Sequence, residues 1–226
     1  MSRKSLEMII DRSILFLLSL SIGVMPLIYL PYDKFSIIPY RLDVIFKPKQ
    51  IFLIITEILL LILFVIYYKL DKLDLRSQFL LIKKNKILYL LVSFYFILII
   101  STLLSDHKKT AVFGRPFRLE GLIAYLTYFL LFFMTYIYID NKKKLKIIIF
   151  TLLSSAAIIS IYGILQYYNI DPIYKDPYII TGVYKNRAFS TLGNPVFAGS
   201  YGSMLLPLIF ILYLSSEDNK KYLLIL

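Results

Sequence analysis

The chain has 226 residues, 59% of them hydrophobic and 18% charged, against roughly 45–50% apolar and ~25% charged in a soluble domain, and this surplus of apolar side chains points to lipid. Cysteine is absent and histidine occurs once, which excludes a disulfide framework, a thiolate metal site and a histidine-based metal site. The net charge of +12 lies in short clusters between apolar runs, so anionic lipid head groups, and not nucleic acid, are the expected partner.

A helix needs about 20 predominantly apolar residues to cross the hydrocarbon core with every backbone group satisfied. Six runs answer to this, at residues 13–30, 50–68, 87–104, 122–138, 147–167 and 196–215, and a seventh begins at Tyr222. The predicted fold class is all-α, a polytopic transmembrane helix bundle of about six spans plus the start of a seventh, forming one transmembrane domain over residues 1–226. Arg3, Lys4 and Arg12 precede the first run as they would in a signal peptide, but the run is long and lacks a small-residue cleavage site, so it reads as a retained helix. Of the 26 Lys and Arg residues, 15 fall in the N-terminus and in the alternate loops 69–86, 142–146 and 220–221, which are also the shorter ones. That bias places the N-terminus in the cytoplasm. Tyr67, Tyr68, Tyr136, Tyr138, Tyr167 and Tyr168 crowd the run ends, where amphipathic rings suit the interface.

Along the chain, the first ionisable side chain well inside a run is Glu57, flanked by apolar neighbours. Such a residue pairs, carries a proton or works. His107, in Ser105-Asp106-His107-Lys108-Lys109, is a candidate base, but the preferred reading is a solvated loop residue. The second outside loop contains Gly114-Arg115-Pro116-Phe117-Arg118-Leu119-Glu120-Gly121. Pro116 near a helix start would set Arg115 and Arg118 about one turn apart, facing a common anion, with Glu120 orienting either arginine or serving as a first-turn acid. The third outside loop, 169–194, ends in Arg187-Ala188-Phe189-Ser190-Thr191-Leu192-Gly193-Asn194-Pro195. Here Gly193 turns the chain, Asn194 caps the next helix and Pro195 takes its first position. Arg187, beside a helix N-terminus, is either a phosphate ligand or an interfacial arginine holding a lipid head group. Small residues recur in the fifth and sixth runs, among them Ser155, Ala156, Gly163, Ala198, Gly199 and Gly202, and predict a close helix pair.

Three stretches together resemble the O-antigen ligase and polymerase family of bacterial membrane proteins: F-G-R-P-F-R-L-E-G-L-I-A-Y-L-T-Y from Phe113, Y-G-I-L-Q-Y-Y-N-I-D-P from Tyr162, and R-A-F-S-T-L-G-N-P-V-F-A-G-S-Y-G-S-M-L-L-P from Arg187. The resemblance implies a GT-C-type glycosyltransferase acting on undecaprenyl-diphosphate-linked glycan at the outer face of the cytoplasmic membrane, with no metal and no cofactor. It gives Arg187, and one of Arg115 and Arg118, the donor diphosphate, with Glu120, Glu57 and Asn194 as supporting residues. The family's acceptor-activating histidine sits in a large later loop that these residues do not contain, and His107 lies in the wrong loop to replace it. The chain is therefore expected to be the N-terminal half of a longer protein, inactive in transfer by itself. The acceptor is open, and the rival expectation is a transporter or flippase component for a lipid-linked or anionic substrate.

Overall fold

The helices begin and end where backbone hydrogen bonding dictates, which is not always where the apolar runs do. The computed structural model describes residues 3–29, 43–70, 85–115, 119–170 and 187–215. The longer helices are α1 (Arg3–Ser19), α2 (Asp43–Lys69) and α3 (Lys86–Leu104). A short α4 (Lys108–Phe113) follows, then α5 (Leu122–Tyr138), α6 (Lys142–Tyr167) and α7 (Pro195–Ser215). Among the described residues the regular structure is helical. The start predicted near Tyr222 lies outside them.

The first two spans start earlier than their apolar runs because a helix passes through a charged turn without losing its ladder. Arg3 and Glu7, one turn apart, pair at 3.2 Å on that extension of α1. At its far end α1 opens into a π turn (Leu20–Val24) and a 3-10 turn (Met25–Leu27) carrying Pro26. Gly23 in that π turn lies against Thr151 of α6 so closely that a Cβ would collide with the threonine side chain.

Among the described residues five helical stretches are long and apolar enough to cross a membrane: Arg3–Leu27, Phe46–Lys69, Lys86–Leu104, Lys142–Tyr167 and Pro195–Ser215. The chain is thus a multi-pass membrane protein with an all-α bundle fold. The fourth predicted span, 122–138, forms α5 with 17 residues, about 25 Å of helix, at the short limit for a hydrocarbon core ~30 Å thick. Gly121 bounds it at one end; at the other, Asn141 accepts from the backbone N–H groups of Lys143 and Lys144 and starts α6 at once.

The core lies where α1 meets α2, α5 and α6. Ile10, Ile14 and Leu18 of α1 pack with Leu60 and Phe64 of α2, Met134 and Tyr138 of α5 and Ile148 of α6. Outward faces are apolar as well, with Ile87, Leu104 and Met204 each more than three-quarters exposed, as lipid contact requires.

Polar contacts fix both ends of the bundle. At the end holding the N-terminus, the Tyr138 hydroxyl donates to the Asp11 carbonyl oxygen at 2.6 Å, and Lys144 pairs with Asp11 at 3.1 Å and Asp140 at 3.2 Å. Arg3 reaches the Leu70 carbonyl at 3.2 Å. Successive spans alternate in direction from there, so Arg115, Glu120, Arg187 and Asn194 all lie at the opposite end.

A candidate anion site at the mouth of an apolar groove

The segment that carries Arg187 is anchored from three sides. The Gln166 side-chain oxygen, at the end of α6, accepts from the backbone N–H groups of Phe189 (3.1 Å) and Ser190 (2.7 Å). Ser190 donates its hydroxyl to the Ile159 carbonyl at 2.7 Å, and its φ of 50° is the left-handed region that a serine enters only when its surroundings hold it there. The 3-10 turn Ser190–Leu192 is then tied to α2 and to the end of the first span. Lys49 donates from Nζ to the carbonyls of Thr191 (2.7 Å) and Pro26 (3.1 Å), and the Thr191 hydroxyl donates to the same Pro26 carbonyl at 2.9 Å. Lys49 is 9% exposed, and its bonds are to carbonyls, so its positive charge is not neutralised by a bonded acid among the described residues.

Beyond the turn, Gly193 adopts φ 76°, the Asn194 side-chain oxygen accepts from the Val196 N–H at 2.8 Å, and Pro195 opens α7. Asn194 is therefore committed to capping. Arg187, at the free end of this frame, is exposed and has no hydrogen-bond or ion-pair partner among the described residues.

The second loop is closed by glycine. Gly114, at φ 83°, and Gly121 pack backbone to backbone, leaving room for a Cβ on neither. Leu119, itself at φ 55°, donates its N–H to the Arg115 carbonyl at 2.9 Å. The helix starts at Leu122, six residues after Pro116, because this glycine contact holds the chain in a turn. Arg115 and Glu120 are exposed on that turn; Arg118 lies outside the described residues. The first turns of α2 stand between the two loops, with Lys49 reaching Thr191 on one side and Gln50 donating to the Tyr128 hydroxyl of α5 at 2.9 Å on the other. Arg115 and Arg187 thus share an end of the bundle. Glu57 is about two helical turns further into α2 than Lys49 and joins neither arginine. His107 occupies the N-cap position of α4, exposed and with no side-chain capping bond.

Between α6 and α7 runs a cavity of about 710 Å³, open on one side and lined mainly by apolar and small side chains. Tyr167, Tyr168 and Ala188 stand at its outer end, Gly163 and Ser190 on one wall, Gly202 and Ile209 on the other. The predicted close pairing of these two helices does not occur. The two helices are bridged by the 190–192 turn, and Gly199 and Gly202 have nothing within 4 Å of where a Cβ would stand, so the small residues widen a groove. From Ala198 to Ile209 it runs about 16 Å along α7, toward the middle of the bundle.

No protein-family model, curated protein or solved structure matches the chain. The site rests on its own geometry.

Lys49 and Thr191 are the anchoring residues that sequence reasoning missed. A lysine beside Pro48 at the edge of an apolar run reads as a loop charge, and only its bond to a carbonyl 142 residues away reveals it. A weak signal existed in the threonine directly before the Leu-Gly-Asn-Pro turn.

Proposed function

We propose that the chain holds the diphosphate of an undecaprenyl-diphosphate-linked glycan at the outer face of a bacterial cytoplasmic membrane, as part of an O-antigen-ligase-like glycosyltransferase that ligates or polymerises such glycans. One observation carries the reading: Arg187 stands exposed, without a partner among the described residues, just before the anchored turn 190–192 and next to Ala188 at the outer end of an apolar groove that enters the bundle. A polyprenyl diphosphate has the same division of chemistry, an anionic head on an apolar tail. The guanidinium fork binds two phosphate oxygens at once. The adjacent start of α7 and the buried Lys49 add positive potential at that end, and the small residues of α7 leave room for a prenyl chain.

In glycosyl transfer the departing diphosphate gains negative charge, and a cation fixed before the reaction stabilises it without reorganising. Gln166, Ser190 and Lys49 supply the fixing. Arg115, on the neighbouring loop, is the second candidate cation. The density of basic residues at the opposite end supports a cytoplasmic N-terminus with Arg187 outside. In cells depending on the protein for a surface glycan, Arg187→Ala should abolish glycan transfer with membrane insertion intact; retained transfer refutes the role.

A second reading, a transporter or flippase component for a lipid-linked or anionic substrate, is favoured by one observation, the buried carboxyl of Glu57 inside a span. It predicts that Glu57→Gln halts movement of a lipid-linked substrate between leaflets of reconstituted vesicles, whereas the ligase reading predicts no such movement from the wild type.

A further inference from the structure

Buried positions of α2 recur as Leu53, Glu57, Leu60 and Phe64, one helical face, and those of α1 and the π turn that follows it as Ile10, Ile14, Leu18 and Ser21. The two stripes face each other along the α1–α2 seam, and their lower parts form the apolar core. Above Leu60 the chemistry changes. Ser21 donates its hydroxyl to Thr56 at 3.0 Å, and the Thr56 hydroxyl lies 3.0 and 2.9 Å from the carbonyls of Phe52 and Leu53. Glu57 is 2% exposed, and neither carboxyl oxygen has a hydrogen-bond partner among the described residues; the Ser19 hydroxyl is buried and unpartnered as well. At this level α1 leaves α geometry for its π turn, Leu20–Val24, a distortion that recurs at functional sites.

Among the described residues, little charge faces this pocket from the elements packed on α2. The charged side chains of α1, from Arg3 to Arg12, all precede Ser13, more than two turns from Ser21. The titratable groups of α5 are tyrosines, and α2 itself offers Lys47 and Lys49 two or more turns away and Lys69 at its far end. A carboxylate left without donor or cation in such a place costs several kcal/mol.

We propose that Glu57 is a proton-binding site inside the bundle, a carboxylic acid in the resting protein, whose ionisation parts the α1–α2 seam at the π turn. The released proton goes to water entering the seam, and the hydroxyls of Ser19, Ser21 and Thr56 are the donors that turn toward the new carboxylate. The site is independent of the arginine end and holds for either reading of the function.

Infrared spectroscopy of the full chain in nanodiscs at neutral pH tests the first half. A carboxylic-acid C=O band should persist after the exposed carboxyls have ionised, should move on carbon-13 labelling of glutamate, and should vanish in Glu57→Gln or shift in Glu57→Asp. Absence of a glutamic-acid band in the wild type overturns the proposal, whether or not the variants fold. Hydrogen–deuterium exchange tests the second half: protection of residues 19–24 should fall as rising pH removes the band. A band that disappears with pH while exchange there stays constant overturns the coupling.

Discussion

Lys49 donates from Nζ to the Thr191 carbonyl oxygen at 2.7 Å, joining the second span to the turn before the last described one across 142 residues of sequence. The ammonium has three donors, which lets it hold Pro26 as well as Thr191, so one side chain sets the spacing of three segments at the end where Arg187 emerges.

Removing that ammonium should loosen the turn. Lys49→Met is expected to raise amide exchange at residues 189–192 and to weaken diphosphate binding about tenfold, ~1.4 kcal/mol. Exchange mass spectrometry on the variant reads the first effect directly, and unchanged protection at those residues would show that the tie carries no strain.

The Gln166 oxygen should matter for stability. In Gln166→Leu the backbone N–H groups of Phe189 and Ser190 lose their acceptor, at about 1–3 kcal/mol for each buried donor left unmade. Gln166→Glu keeps an acceptor oxygen and should retain most of the stability. Thermal unfolding in detergent separates the two; equal losses would contradict the assignment.

The glycines divide into two groups. Gly121→Ala drives a methyl into the Gly114 backbone and should cost about 1–3 kcal/mol or prevent folding, since backbone cannot step aside as a side chain can. Gly202→Ala meets nothing within 4 Å and should leave stability unchanged. Gly202 lines the groove, so a larger replacement, Gly202→Leu, should instead lower prenyl-chain binding, measured by displacement of a fluorescent prenyl probe.

Much of the fold was legible because lipid imposes a simple rule, long apolar runs closed on their own backbone bonds. The capping of α7 by Asn194 and the turn at Gly193 were equally readable, since both are local. Span starts were missed at Arg3 and Asp43, where the helix continues through charged turns that the apolar criterion rejects. The close pairing expected of Gly163 with Gly199 and Gly202 failed for a different reason. Small residues permit helices to approach, but whether they do depends on the turn wedged between them. Lys49, Thr191 and the accepting role of the Gln166 oxygen were invisible as a set, because each belongs to a contact between segments distant in the chain. Burial of Glu57 could be read from its apolar flanks; its lack of a partner among the described residues could not.

Orientation is open to a direct check because the chain has no native cysteine. His107 and Lys143 are both exposed, at opposite ends of the bundle. A cysteine in place of His107 should react with an impermeant maleimide on intact cells, and one in place of Lys143 only after permeabilisation. The reverse pattern would put Arg187 on the cytoplasmic side.

The most direct measurement is the affinity of the full chain in nanodiscs for farnesyl diphosphate, compared with farnesol and with inorganic pyrophosphate, for the wild type and for Arg187→Ala. The wild type should bind farnesyl diphosphate more tightly than either half of the molecule alone, and Arg187→Ala should lose at least tenfold of that affinity, ~1.4 kcal/mol, with its affinity for farnesol unchanged. Equal binding of farnesyl diphosphate by the two proteins, or none by the wild type, would contradict the account.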